Sequence, residues 1–287
     1  MNYVVPRLLA TPYILLLPSF LYMILVMGYP ILYAVNLAFR DPHTGALTLS
    51  NFVQAIKFYK FNEALLYTFA IVLVVIVLDF IIATLLAIYF LTCKFKGSNL
   101  VFYISIIPLA LSDVAAALIW YNMLSPTGYL NKLLLSLGVI DNPIQFFGYA
   151  FRHMTFIAIV LAEVWRTTAL VFIIIYANLQ LINKEYFEAA DVFGLGFVNK
   201  LRYVILPLLK PALETALIIR TLFALQVYAT PLILSGLDIP VLSTITYYWF
   251  TEYMNASVAS VYALLVGFIT VILGFTYIRT LRVEYRV

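Results

Sequence analysis

Leu181-Ile182-Asn183-Lys184-Glu185-Tyr186-Phe187-Glu188-Ala189-Ala190-Asp191-Val192-Phe193-Gly194, followed nine residues later by Val204-Ile205-Leu206-Pro207, forms a polar break between two long apolar stretches. Asn183 is a residue type that caps a helix by accepting backbone N–H bonds, and Gly194 supplies the left-handed backbone that ends one, which predicts a helix of about three turns. So short a helix needs tertiary support. Tyr186, Ala189, Ala190 and Phe193 recur at i, i+3, i+4 and i+7 as a small-and-aromatic stripe, with Glu185, Glu188 and Asp191 as an acidic stripe beside it. One face suits a groove on a partner and the other suits basic side chains. A second short helix, about Phe197 to Leu206, carries Lys200 and Arg202 before Pro207 and Pro211 interrupt it and restart the chain as an apolar span.

The rest of the chain explains what this break interrupts. Of 287 residues 65% are hydrophobic and only 10% charged, with mean hydropathy +1.04, more apolar surface than a soluble domain can hide from water. The fold class expected is an all-α integral membrane protein with six transmembrane helices and a cytoplasmic helix-turn-helix loop, in a single domain covering residues 1–287. The six apolar windows run about 13–38, 65–91, 101–124, 155–179, 211–234 and 257–281, and the loop occupies 182–207. Period-two strand patterns with regular turn signals are missing, against an outer-membrane barrel. The first window follows Arg7 but is longer than a signal peptide and lacks a small-x-small cleavage site, so it reads as a retained helix.

Orientation comes from basic residues near the windows. With the N-terminus in the cytoplasm, ten of the 17 basic residues face inward, among them Lys94, Lys96, Lys184, Lys200, Arg202 and Arg279, and five face outward: Arg40, Lys57, Lys60, Lys132 and Arg152. Arg166 and Arg220 fall inside windows. Both termini and the Glu188 loop are thus expected in the cytoplasm. The net charge of +4 is accounted for by this topology, without a nucleic-acid-binding patch. Cys93, the single cysteine, reads as an inert thiol in a short cytoplasmic turn, and no intrachain disulfide can form.

The spacing Glu188-Ala189-Ala190, three residues, Gly194, nine residues, Val204, one residue, Leu206-Pro207 resembles the EAA loop of binding-protein-dependent ABC importer permeases. Val204 stands where that family usually has Ile, Asn183 where it has Pro, Phe193 where it has Asp and Leu201 where it has Phe. The resemblance implies a permease subunit that breaks no bonds and binds no cofactor itself. It implies a homologous second permease, two cytoplasmic ATPase subunits that carry ATP and Mg, an external solute-binding protein, and ATPase docking through Tyr186, Glu188, Ala189, Ala190, Phe193, Gly194, Leu206 and Pro207. Weaker signposts resemble the maltose-type carbohydrate subgroup: Pro18 and Pro30 in Leu16–Tyr33, Asn62-Glu63-Ala64-Leu65, Pro108, Trp120, Gly128-Tyr129-Leu130-Asn131 and Trp165-Arg166. In the fifth window, Arg220 to Thr230 matches the region where those permeases contact sugar, with Ala229 in place of a frequent Asp.

Sugar recognition needs hydrogen bonds to hydroxyls and flat apolar faces, which Gln226 and Thr230 beside Phe223 and Tyr228 can supply. The chain has no phosphate-binding Gly-rich loop with Lys, and its two histidines, His43 and His153, are far apart, so neither ATP hydrolysis nor a metal site is expected within it. Asp79, Asp113, Glu163, Arg166, Glu214 and Arg220 fall within apolar windows, each costing roughly 2.5–3.5 kcal/mol at the bilayer centre, and must face the bundle interior and find partners. Glu163 and Arg166, one turn apart, are an expected pair. As a group these residues read either as structural pairs or as an ion relay, the first being favoured. The function expected is sugar import. The alternatives are an ABC permease for another solute, such as glycerol phosphate or a polyamine, and an ion-coupled carrier or channel, against which the sequence offers no internal repeat and no matched broken spans.

Overall fold

The structure, a computed structural model, describes residues 12–42, 44–92 and 96–280, all helices, turns and loops with one isolated antiparallel bridge between Arg40 and Leu47. Cys93 and Lys94, and the terminal basic residues Arg7, Arg282 and Arg286, lie outside the described residues. Fourteen α-helices are described: α1 (Pro12–Met23), α2 (Tyr29–Ala38), α3 (Ser50–Lys57), α4 (Phe61–Thr92), α5 (Ser98–Ile106), α6 (Asp113–Leu124), α7 (Tyr129–Ser136), α8 (Arg152–Gln180), α9 (Lys184–Val192), α10 (Phe197–Lys200), α11 (Leu206–Ala224), α12 (Ala229–Ser235), α13 (Leu242–Thr251) and α14 (Ala256–Thr280).

Four helical segments are long and apolar enough to cross a bilayer: Leu16–Ala38, Phe61–Thr92, Tyr149–Gln180 and Ala256–Tyr277. Two further segments qualify only as bent pairs, Ser98–Ala110 with Asp113–Ser136 at 106° and Phe197–Ala224 with Ala229–Ser235 at 47°. The third and fifth windows are therefore not the straight spans their hydropathy suggests. In the third, Pro108 sits in a 3₁₀ turn, Ile107–Ala110, and Ser112 opens α6 by accepting the Ala115 N–H at 3.2 Å. Two of the six apolar windows, the third and the fifth, are thus broken, and they do not occupy corresponding places in two halves of the window order.

The chain divides into two compact units. In the smaller, residues up to Phe58 with Thr246–Leu265, the buried Asn51 amide donates to the carbonyls of Ala38 and Arg40 at 2.9 and 2.8 Å and closes the end of α2. Tyr262 donates its hydroxyl to Ala55 O at 2.6 Å. Asn255, the first residue of a potential glycosylation sequon, accepts the Val258 N–H at 3.1 Å and caps α14.

The larger unit, Tyr59–Ile245 with the residues from Val266 on, is organised by α4 and α8 packed along their length. Small residues permit that approach: Ala83 and Ala87 meet Val171, Phe172, Ile175 and Leu179 in one cluster, and Ala158 and Ala162 meet Ile71 and Val75 in another. At one end Arg152 Nη2 meets Glu63 Oε2 at 2.7 Å while its Nε donates to Asp238 O at 2.7 Å, tying the starts of α4 and α8 to the loop after α12. Nearby, the buried Asn131 amide donates to Ser125 O and Ile144 O at 3.0 Å and accepts the Ile144 N–H at 2.7 Å. A Cβ on Gly128 would stand 2.3 Å from Asn122 O, so this turn admits no side chain.

Candidate functional site

The polar break folds as α9, a tight turn and α10. Asn183 does occupy the cap position of α9, but its side chain makes no capping bond; the first turn closes through its backbone carbonyl, which accepts the Tyr186 N–H at 3.1 Å. Termination follows the expected chemistry. Gly194 has φ +68°, Leu195 N–H donates to Ala190 O and Gly194 N–H to Asp191 O, both at 3.0 Å, the paired bonds of a Schellman ending.

Packing divides the stripe read from the sequence. Ala190 is 3% exposed and, with the partly buried Phe187 three residues earlier, turns inward; Phe187 rests on the Ile205, Leu209 and Leu179 cluster. Tyr186 and Phe193 remain 53% and 82% exposed, and Ala189 and Glu188 are also exposed. Ala190 is thus an anchor within the chain, and the free surface includes Glu185, Tyr186, Glu188, Ala189, Val192 and Phe193. The acidic stripe also divides, because Asp191 Oδ1 pairs with Lys200 Nζ and ties α9 to α10. A groove of about 530 Å³ runs alongside, lined by Leu91, Leu179, Phe187 and Phe197 together with Lys184 and Glu188.

Pro207 and Pro211 do not interrupt the second helix. From Phe197 the chain runs continuously helical to Ala224, through a π-helical turn at Leu201–Ile205, with Pro207 in the first turn beyond it and Pro211 inside α11. A wider turn ahead of Pro207 relieves the missing amide and the ring clash that would otherwise break the helix. The second half of the loop, from Phe197, is consequently continuous with α11, which leads to Arg220 and to the bend. Leu206 and Pro207 sit in this continuous rod, Pro207 exposed and Leu206 half-buried.

Arg220 enters a closed polar cluster. Its Nε donates to Asp79 Oδ2 at 2.6 Å and its Nη2 to Thr167 Oγ1 at 3.0 Å, while Thr168 donates to Asp79 Oδ1 at 2.9 Å. Thr167 Oγ1 lies 2.9 Å from Asp79 Oδ2 and 2.7 Å from Glu163 O, and can donate to one at a time. Asp79 is wholly buried. A second group adjoins it on α8: Glu163 accepts from Thr230 at 2.5 Å, Arg166 Nη2 reaches Glu163 Oε2 at 3.4 Å, and Arg166 Nη1 meets Asp113 Oδ1 at the closer distance of 2.8 Å. The expected Glu163–Arg166 pair is therefore present but secondary to Arg166–Asp113. Glu214 pairs with Lys210 one turn away at 3.7 Å. Each of these six charged residues has an oppositely charged partner.

The four residues expected on the solute path cluster around the bend between α11 and α12, with different exposures. Phe223 and Gln226 are exposed and Tyr228 is half-buried, while Thr230 is buried in its bond to Glu163. Gln226 Nε2 donates to Leu222 O at 3.3 Å, a carbonyl near the end of α11. Sequence reasoning missed Thr167 and Thr168 and the pairing of Asp79 with a residue 141 positions away. Hydroxyls next to Arg166 were the available signal, because a buried charge needs donors as well as a counter-ion.

Comparisons with known proteins accord with this geometry. A family model described as "Binding-protein-dependent transport system inner membrane component" matches residues 80–282. The chain is 30% identical over 232 residues to the trehalose transport system permease protein SugA of Mycobacterium tuberculosis, covering 78% of this chain and 72% of that protein. It is 31% identical over 196 residues to the trehalose/maltose transport system permease protein MalF of Thermococcus litoralis, covering 68% and 65%. A chain of a bacterial alginate ABC transporter, solved in complex with an alginate pentasaccharide-bound periplasmic protein, superposes with a TM-score of 0.81 at 20% identity over 92% of this chain and 91% of its own; that likeness is one of fold.

Proposed function

The chain belongs to the family of binding-protein-dependent transport system inner membrane components, and from that premise we propose that it forms one half of the translocation path of an ATP-driven importer for a sugar or oligosaccharide. It is a multi-pass membrane permease subunit, not an enzyme. In this reading the chain is one transmembrane domain with six spans: four from the straight helices and one from each bent pair. Both termini lie in the cytoplasm, as the distribution of basic residues favours. A homologous permease completes the path, an external solute-binding protein delivers the sugar, and two cytoplasmic ATPase subunits, holding ATP and Mg, each receive one α9 loop.

The observation that carries the reading is the division of α9. Phe187 and Ala190 fasten it to the body, and Tyr186, Glu188, Ala189 and Phe193 are presented outward on a helix whose end is locked by Gly194. A short helix held in this way moves as a unit with α10 and α11. ATP binding that draws two ATPase subunits together would draw the two loops with them and tilt the rods that lead to the bends. Around the bend, Phe223, Gln226 and Tyr228 are the residues of this chain offered to solute, with Thr230 holding Glu163 behind them. The choice of sugar over other solutes rests on the trehalose and maltose permeases among the relatives.

Reversal of the exposed charge tests the docking. Glu188→Lys is expected to leave the permease inserted in the membrane while lowering co-purification of the ATPase, or leaving ATP hydrolysis uncoupled from uptake. Normal ATPase recovery together with normal uptake in this variant would remove the docking role.

A further inference from the structure

Five ionisable side chains meet near the middle of the larger unit, and only one of them keeps a largely open face. Asp79 and Arg220 are sealed, their side chains 0% and 3% exposed. Glu163 is 5% exposed, and Arg166, at 18%, has both terminal nitrogens occupied, one by each acid. Asp113 is different. Its side chain is 58% exposed and, among the described residues, only Oδ1 has a partner. It opens α6 at the 106° bend, and Trp120, seven residues on and so on the same side of that helix, meets Trp165 edge-on at 6.2 Å. Trp165 adjoins Arg166 in sequence and is itself partly exposed.

Depth decides what such a group can face. Arg166 lies 14 residues before the end of α8 and Asp79 13 before the end of α4, about 20 Å along either helix from that end, well inside the apolar layer. An open carboxylate at that level cannot be turned to acyl chains, so it borders a water-filled cavity or another protein chain. The cluster holds three acids and two bases, an excess of one negative charge, and the open group is an acid. A carboxylate with a free oxygen accepts hydrogen bonds from two hydroxyls and its charge repels phosphate and carboxylate in a medium of low dielectric, while the partly exposed Trp165, next to Arg166 on α8, offers an indole face for C–H surface.

We infer that Asp113, paired with Arg166 and acting with Trp165 next to Arg166 on α8, determines which solutes this chain passes, admitting uncharged polyhydroxylated molecules and rejecting anionic ones. This rests on the proposed function and narrows it, setting phosphorylated solutes aside. The test uses the assembled permease and ATPase complex in detergent without its binding protein, and equilibrium dialysis with four probes: trehalose and maltose, and their anionic counterparts trehalose 6-phosphate and maltobionate. The wild type is expected to bind the neutral sugars at least tenfold more tightly than the anions. Asp113→Asn should shrink that preference tenfold or more by leaving Arg166 with only one acid, Asp113→Glu should restore it, and Trp165→Leu should weaken the neutral sugars more than it changes the ranking of the anions against one another. Wild-type protein binding anions as well as neutral sugars overturns the inference and leaves the sugar reading standing, whereas a complex that binds none of the four removes both. Loss of assembly in Asp113→Asn, or an unchanged preference in it, would make Asp113 a subunit contact or a structural pair and also overturn the inference.

Discussion

Removing Arg220 tests how the larger unit is held together. Arg220→Met keeps a long apolar stem but deletes the donors that reach Asp79 at 2.6 Å and Thr167 at 3.0 Å, leaving a wholly buried carboxylate with hydroxyl partners alone. Breaking one side of a buried ion pair costs about 3–5 kcal/mol, a large share of the roughly 5–15 kcal/mol by which a typical fold is stable. For a chain of this size that corresponds to a fall of roughly 6–20 °C in apparent melting temperature. Asp79→Leu is expected to do comparable damage by stranding the guanidinium. The double variant Asp79→Leu/Arg220→Met exchanges the pair for apolar volume between the same helices and should be more stable than either single variant, because the cost of each single is mainly an unpaired charge. The assay is fluorescence-detected size-exclusion after heating of the detergent-solubilised complex. Singles that melt with the wild type, or a double that melts as low as the sum of the singles, would refute the reasoning that α4, α8 and α11 are joined by this pair.

Two other outcomes follow from the geometry already described. Gly194 has φ +68° and a Cβ there would meet nothing within 4 Å, so substitution costs only the left-handed backbone, about 1–2 kcal/mol; Gly194→Asn should therefore retain most uptake and Gly194→Val lose most of it in whole-cell transport, and equal uptake in both would refute the cap argument. With the proposed topology, Asn142→Cys in a Cys93→Ser background should react with a membrane-impermeant maleimide in intact cells, while Cys93 in the native chain should react only after permeabilisation; the reverse pattern would invert the orientation.

The sequence made some features plain and hid others for physical reasons. Long apolar windows and a glycine terminator act locally, so the α9 turn at Gly194 and the extents of α4 and α8 could be read within a few residues. The bends in the third and fifth windows could not, because hydropathy is blind to direction: Ile107-Pro108-Leu109-Ala110 and Leu225-Gln226-Val227-Tyr228 both fall inside windows that are apolar on average. Periodicity also misassigned Ala190. Four positions at i, i+3, i+4 and i+7 share a broad arc, and only the tertiary position of Ile205 and Leu209 decides which edge of that arc is covered. Asp79 was recognisable as needing a partner, but two candidate bases, Arg166 and Arg220, and hydroxyls on two other helices were compatible with its sequence.

The continuity of α10 with α11 bears on how the proposed mechanism would act at a distance. If Pro207 and Pro211 divided this rod, motion of α9 would be absorbed at the break. Instead helix runs unbroken from Phe197 to Ala224, some 28 residues or about 40 Å, and the first break comes at Leu225–Tyr228 beside the exposed Phe223 and Gln226. Lys200 pairs with Asp191 at one end of the rod and Arg220 with Asp79 near the other. In the proposed mechanism, a displacement imposed on α9 would be delivered as a tilt about the Asp79–Arg220 contact and released at the bend. In such a lever the π-helical turn at Leu201–Ile205 is the one departure from α-helical geometry between Phe197 and the pivot, and the two ion pairs would set how much of the motion reaches the residues offered to solute.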